Sequence, residues 1–155
     1  MAGTVEQKLA AQGIVLHDPR TPMANYVGFV RTGNLVFTAG QVTLKDGKFE
    51  HLGKVGGAIS LEEAQKAARL CAINIIAQLK AACDGDLDRV KRIVKLVGFV
   101  NAVPEFTDHP KVVNGASDLM VEVFGDAGKH ARSAVGSGSL PLNVAVEVEA
   151  IAEVA

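Results

Sequence analysis

The chain has 155 residues, 48% hydrophobic and 21% charged, with 16 Lys and Arg against 17 Asp and Glu. That length and apolar fraction suit one domain with a full hydrophobic core and exclude a disordered chain. A formal net charge of -1 gives no electrostatic basis for a dedicated nucleic-acid or anionic-membrane binder, and no apolar run approaches the ~20 residues that a bilayer-spanning helix needs.

The start, MAGTVEQKL, has no basic segment followed by an apolar stretch, which predicts a cytoplasmic protein. Thr4 to Gln12 predicts a short amphipathic helix with Val5, Leu9 and Ala10 on the inward side and Gly13 as its stop. The stretch His17–Asp18–Pro19–Arg20–Thr21–Pro22 is irregular and punctuated by proline. Tyr26–Arg31 and Leu35–Ala39 are β-rich runs joined by Thr32–Gly33–Asn34, a hairpin signal, and Lys45–Asp46–Gly47–Lys48 is a second turn. Ser60–Leu61–Glu62–Glu63 is a capping box. The helix it opens carries Ala64, Ala67, Ala68, Cys71, Ile75 and Leu79 at three-and-four spacing, a small-residue face suited to close packing on a sheet, and Asp84–Gly85 ends it.

Arg92–Val103 predicts a strand with Val94, Leu96, Val100 and Ala102 on one face, and Ile93, Lys95, Val97, Phe99 and Asn101 on the other. Pro110 opens a second long helix that buries Val113, Ala116, Met120, Val123 and Phe124. A short strand over Arg132–Val135 breaks at Gly136–Ser137–Gly138–Ser139. A last strand, Val144–Val154, alternates Val144, Val146, Val148, Ala150, Ala152 and Val154 against Ala145, Glu147, Glu149, Ile151 and Glu153. The order is that of an α+β domain: one mixed sheet with two helices on one face, spanning 1–155 as a single unit. The uncovered face would show Ile93, Val97, Phe99 and Ile151, and an apolar surface of that kind predicts oligomerisation.

Common catalytic signatures are absent from the sequence, and no pair among His17, His51, His109 and His130 has a metal-ligand spacing. Cys71 and Cys83 read as buried small hydrophobes in a reducing compartment. His130 lies two residues before Arg132, so both side chains would share a strand face. The most informative group is Arg132 with Glu147 and Glu149, on two late strands expected to be neighbours. An arginine fork can clamp a carboxylate, and a nearby glutamate can polarise water. The same residue types also suit a cross-strand ion pair.

Ala131–Arg132–Ser133–Ala134–Val135, then Leu140–Pro141, then Val146–Glu147–Val148–Glu149–Ala150–Ile151 resembles the C-terminal signature of the RidA/YjgF superfamily, also labelled endoribonuclease L-PSP. Tyr26–Val27, Thr38–Ala39–Gly40–Gln41 and Phe106 through Val113–Asn114 support the resemblance, which runs over roughly 23–154 and leaves 1–22 as an N-terminal helical extension. It implies a chorismate-mutase-like homotrimer with a cleft at each subunit interface. It further implies hydrolysis of reactive 2-enamine and 2-imine carboxylates to 2-keto acids and ammonia, with no metal or organic cofactor. By position, Arg132 would bind the substrate carboxylate and Glu147 would position water and move protons. Tyr26, Asn114, Gly40 and Ala134 would line the cleft. Three positions depart from the family pattern: Ala134 for cysteine, Ala39 for serine or threonine, and Ala24–Asn25 for Gly–Pro. They mark a longer-chain branch with a more apolar pocket. A trimer that binds a small carboxylate or a partner protein without turnover is the alternative. RNA cleavage, which the old label suggests, lacks a basic stripe with interleaved aromatics.

Overall fold

The computed structural model describes residues 3–19, 22 and 24–155, so Arg20, Thr21 and Met23 lie outside the described residues. Its elements are α1 (Thr4–Ala11), β1 (Phe29–Thr32), β2 (Leu35–Thr38), β3 (Leu44–Lys45), β4 (Lys48–Phe49), α2 (Leu61–Ala82), β5 (Val90–Asn101), α3 (His109–Phe124), β6 (Ala131–Ser137) and β7 (Val146–Val154). The expected hairpin forms, with β1 on β2, and the turn expected at Lys45–Lys48 joins a second one, β3 on β4. Among the described residues no helix is long and apolar enough to cross a membrane.

Five strands make one mixed sheet in the order β1-β2-β7-β5-β6. All its pairs are antiparallel except β5 with β6, which α3 connects. The α+β architecture expected from the element order is therefore present, with β3 and β4 as a separate small ribbon. Ser60 caps α2, its hydroxyl accepting from the Glu63 N–H at 3.1 Å. The Glu63 carboxylate turns instead toward His51 Nδ1, 3.4 Å away. The small face of α2 is fully buried at Ala64, Ala67, Ala68, Cys71 and Ala72. Gly115 lets α3 approach α2 closely, since a Cβ there would stand 2.0 Å from the Gln65 carbonyl oxygen. The N-terminal helix adds Val5 and Leu9 to the same core, whereas Ala10, expected beside them, is exposed.

Further expectations change. A register shift between Ile93 and Lys95 breaks the alternation of β5. The bulge turns Ile93 to the helix side with Leu96 and Val100, all fully buried, and leaves Val94 only partly buried. Asn101 is also buried, its amide donating to the Val144 carbonyl at 3.1 Å and to Asn143 Oδ1 at 3.2 Å. Strand β6 runs on to Ser137 through its first glycine, whereas β7 begins at Val146 and Ala145 before it is buried.

The opposite sheet face carries no helix. Paired registers line up Val30, Phe37 and Ile151 in one row and Glu147, Phe99 and Val135 in another. Val30, Phe37 and Val135 are 53%, 41% and 44% exposed, so an apolar band crosses the sheet from edge to edge.

Candidate functional site

The chain leaves β2 at Thr38 and returns to β7 at Gln41, whose N–H donates to the Val148 carbonyl at 2.7 Å. The step between them sets Gly40 against Glu147. A Cβ at Gly40 would stand 2.5 Å from Glu147 Oε2, so the missing side chain makes room for the carboxylate. Beyond this step opens a cavity of about 640 Å3, lined by Tyr26, Gly28, Ala39, Gly40, Gln78 and Glu147 among others. Glu147 projects from β7 between the buried Val146 and Val148. Burial raises its carboxyl above the ordinary range, and the like charge of Glu149 adds to the rise.

A second cluster gathers where the edge strand β6 meets α3. Arg132 Nη1 donates to Asn114 Oδ1 at 2.8 Å and to Ser117 Oγ at 3.1 Å. Asn114 and Ser117 lie three residues apart on α3 and so share a helix face. His130 joins from below, with Nε2 2.9 Å from Ser117 Oγ and Nδ1 2.6 Å from the Gly128 carbonyl oxygen. A carbonyl only accepts, so Nδ1 carries a proton. In the neutral ring Nε2 then accepts from the Ser117 hydroxyl, whose lone pairs are left for Arg132. Ala134, two residues on, pairs with Gly98 and packs partly against the core.

The expectation that Arg132 and Glu147 sit on neighbouring strands does not hold: β5 runs between β6 and β7. Arg132 pairs with Leu96, which pairs with Ala150, three residues from Glu147. Two strand spacings and three residues of rise separate the Cα atoms by roughly 14 Å. The side chains also leave opposite faces, because Arg132 turns to α3 while Glu147 aligns with Phe99 on the uncovered face. One chain thus groups Tyr26, Gly40 and Glu147 in the cavity, and Arg132, Asn114 and Ala134 at the edge. The reason is topological: α3 crosses to a parallel edge strand on the far side of β5.

Two residues escaped the sequence reading. Ser117 was detectable as the helical neighbour of Asn114. Gln78 continues the Cys71–Ile75 spacing of α2, where a polar residue at a core position is itself a signal.

Neither cysteine offers a nucleophile. Burial raises both thiols, and Cys71 Sγ donates to the Val146 carbonyl at 3.4 Å. One group of three carboxylates occurs among the described residues, Glu6, Asp86 and Asp88. Its oxygens accept from the backbone N–H groups of Thr4, Val5, Leu87 and Asp88, which makes it a capping cluster.

Comparison with known proteins places the sequence and the fold. The model of the YjgF/chorismate mutase-like family, whose description also carries an endoribonuclease label, matches residues 6–154. Protein TCP17 of Trypanosoma cruzi is 45% identical over 153 residues, covering 98% of this chain and 95% of that protein. The crystal structure of Atu1372 from Agrobacterium tumefaciens, a protein of unknown function, is 46% identical with a TM-score of 0.93 over 98% of this chain and 93% of that one. The structure of Escherichia coli TdcF with bound serine is 25% identical with a TM-score of 0.64 over 89% of this chain and 94% of that one.

Proposed function

Because this chain belongs to the YjgF/chorismate mutase-like family, we propose that it hydrolyses small, reactive 2-enamine and 2-imine carboxylates to 2-keto acids and ammonia, in clefts formed between the copies of a homotrimer. The observation that carries this reading is the state of Arg132. Both hydrogens of Nη1 are used by neutral acceptors, Asn114 and Ser117. No carboxylate among the described residues forms a salt bridge with it. The Nε–Nη2 edge is therefore held in position and free, and it matches a carboxylate with two parallel charge-assisted bonds. The bound serine of TdcF, itself a small carboxylate, points the same way.

Arg132 and Glu147 stand too far apart in one chain to hold one small substrate. The apolar band of Val30, Phe37 and Val135 lies on the same uncovered face from which Glu147 projects, and it reaches β6 at the edge. Docking that face against another copy would bury the band and bring one copy's Arg132 edge to another copy's Glu147 cavity.

In such a cleft Arg132 fixes the substrate carboxylate. Glu147 takes a proton from a water as its oxygen bonds to the imine carbon, and the C=N electron pair moves to nitrogen. Glu147 returns that proton to the nitrogen. The new hydroxyl then gives up its own proton, again by way of Glu147, to the nitrogen as the O–H electron pair forms the C=O bond and the C–N bond breaks, so that ammonia and the 2-keto acid leave. An enamine enters this sequence as its imine tautomer. A carboxyl raised by burial suits both halves of that proton traffic, because it holds a proton taken from water more readily than an ordinary carboxylate and can pass it on to nitrogen. These imines already react with water, so holding carboxylate and water in register supplies much of the catalysis.

The test is ammonia and keto-acid release from freshly generated 2-aminoacrylate. The wild type should exceed the buffer rate, and Arg132→Ala should fall by on the order of 100-fold or more. A wild-type rate equal to buffer would remove the reading. The second reading, carboxylate binding without turnover, is favoured by the methyl groups that Ala39 brings to the cavity wall and Ala134 to the strand of Arg132. Binding of a small 2-keto acid that depends on Arg132 and occurs without any turnover would select it.

A further inference from the structure

Two carboxamides project from one side of α2, a helical turn apart, and their situations differ. Asn74 uses Nδ2 twice, donating to the carbonyls of Val42 at 2.9 Å and Leu44 at 3.0 Å, and so ties the helix to the β3 segment. Gln78 is only 4% exposed, yet its carboxamide forms no hydrogen bond with any described residue. It lines the same cavity as Glu147. Gly28 on the cavity wall leaves space for it, since a Cβ there would stand 2.5 Å from Gln78 Oε1 and 2.8 Å from Nε2. A long polar side chain is thus held in a core position of α2, among Ile75, Ile76 and Leu79, with its polar end turned into the cavity and uncommitted to any described residue.

We propose that Gln78 is a specificity-determining residue of this cavity, whose carboxamide receives a neutral hydrogen-bonding group on the ligand's side chain. The inference rests on the reading that Glu147 and Arg132 bind a small carboxylate, and it narrows the substrate to carboxylates that carry a side-chain hydroxyl or carboxamide. A carboxamide offers both an acceptor and a donor, and a ligand hydroxyl can answer either. An anionic side chain is disfavoured, because the Glu147 carboxylate already charges this cavity. An aliphatic side chain would displace the water that solvates Gln78 and leave a buried polar group unpaired. That penalty lets a site built for a hydroxyl reject the analogue lacking it.

The test uses pairs of 2-imino acids, generated in the assay from amino acids, that exchange a hydroxyl for a methyl (threonine against valine) or a carboxamide for a branched alkyl group (asparagine against leucine). The wild type should favour the polar member by roughly tenfold or more in kcat/KM. Gln78→Leu should abolish or invert that ratio, and Gln78→Met, which keeps an unbranched chain of similar length, should do the same if the leucine variant fails to fold. An unchanged ratio in either folded variant overturns the proposal. If the wild type turns over none of the imines, the hydrolytic reading fails by itself. The ratio is then read from dissociation constants of the matching 2-keto acids. A polar preference that is lost in Gln78→Met supports the role of Gln78, and equal affinities in both proteins overturn it.

Discussion

The two halves of the candidate site are built on different principles. At the β6 edge the polar groups engage one another in a chain: Arg132 on Asn114 and Ser117, Ser117 on His130, and His130 on the Gly128 carbonyl. In the cavity beyond β2 two polar groups are left open, Glu147, which burial raises, and Gln78, which has no partner among the described residues, while Asn74 and Gln41 are tied to backbone carbonyls. The first region is fixed before a ligand arrives and leaves only one guanidinium edge to offer, which suits recognition of an invariant carboxylate. The second holds unsatisfied groups against cavity space, which suits water, a moving proton and a variable side chain. In the proposed cleft each supplies what the other lacks, and the sheet topology keeps them apart within one chain.

The sharpest way to break this division is to disable each half in a separate chain. Arg132→Ala and Glu147→Gln should each lower activity by on the order of 100-fold or more. If every site takes Arg132 from one copy and Glu147 from the next around a three-membered ring, a one-to-one mixture refolded together restores about a quarter of the wild-type activity, because three in four trimers are mixed and each regains one site of three. No recovery above the two separate variants would falsify shared sites. Phe37→Asp probes the same division from the interface. Phe37 is 41% exposed on the uncovered face, so the charge is tolerated by an isolated chain but not by a buried contact. Size-exclusion chromatography should show a trimer-sized species shrinking to a monomer, with activity lost and the circular dichroism spectrum kept.

Much of this fold was legible because its signals are local. The Ser60 cap, the two hairpins and the alternation of β7 each follow from a few consecutive residues. The bulge at Val94 was not legible: reading β5 with a strict period of two put Ile93 on the wrong face, and only pairing with β7 reveals the extra residue. Strand order was hidden for the same reason. Arg132 and Glu147 lie 15 positions apart in sequence, yet β7 pairs with β5 and β2 while β6 takes the edge. A short motif marks Arg132 and Glu147 in the sequence, whereas Ser117 and Gln78, whose proposed parts depend on a neighbour or on the cavity, carry no such mark.

A smaller effect distinguishes a fixed arginine from a merely present one. Ser117→Ala removes one of the two acceptors on Arg132 Nη1 and leaves His130 Nε2 without its hydroxyl. The guanidinium keeps its charge and its bond to Asn114 but gains freedom to turn. The expected result is a KM for the carboxylate substrate raised by several-fold to about tenfold with kcat nearly unchanged, since the Glu147 half is untouched. Ser117→Thr, which keeps the hydroxyl, should recover most of the loss. A kcat that falls with KM constant would mean that the β6 edge acts in the chemical step.

The smallest effect belongs to Glu149 and reads the cavity half alone. Burial is the larger cause of the raised Glu147 carboxyl and the charge of Glu149 the lesser. Glu147 must be ionised to take a proton from water, so activity falls on the acid side as pH drops through its raised pKa. Glu149→Gln removes the like charge and should move that acid limb to lower pH, but only partway to the ordinary carboxylate range, because burial remains. Stability follows the opposite sign. The folded carboxyl holds its proton more tightly than the unfolded one, so its contribution is complete below the ordinary range and is lost as pH rises through the raised value. Glu149→Gln should therefore narrow the window over which that loss occurs, measured as thermal unfolding against pH. An acid limb that does not move in Glu149→Gln would assign it to some other group, and with it the proton-moving role proposed for Glu147.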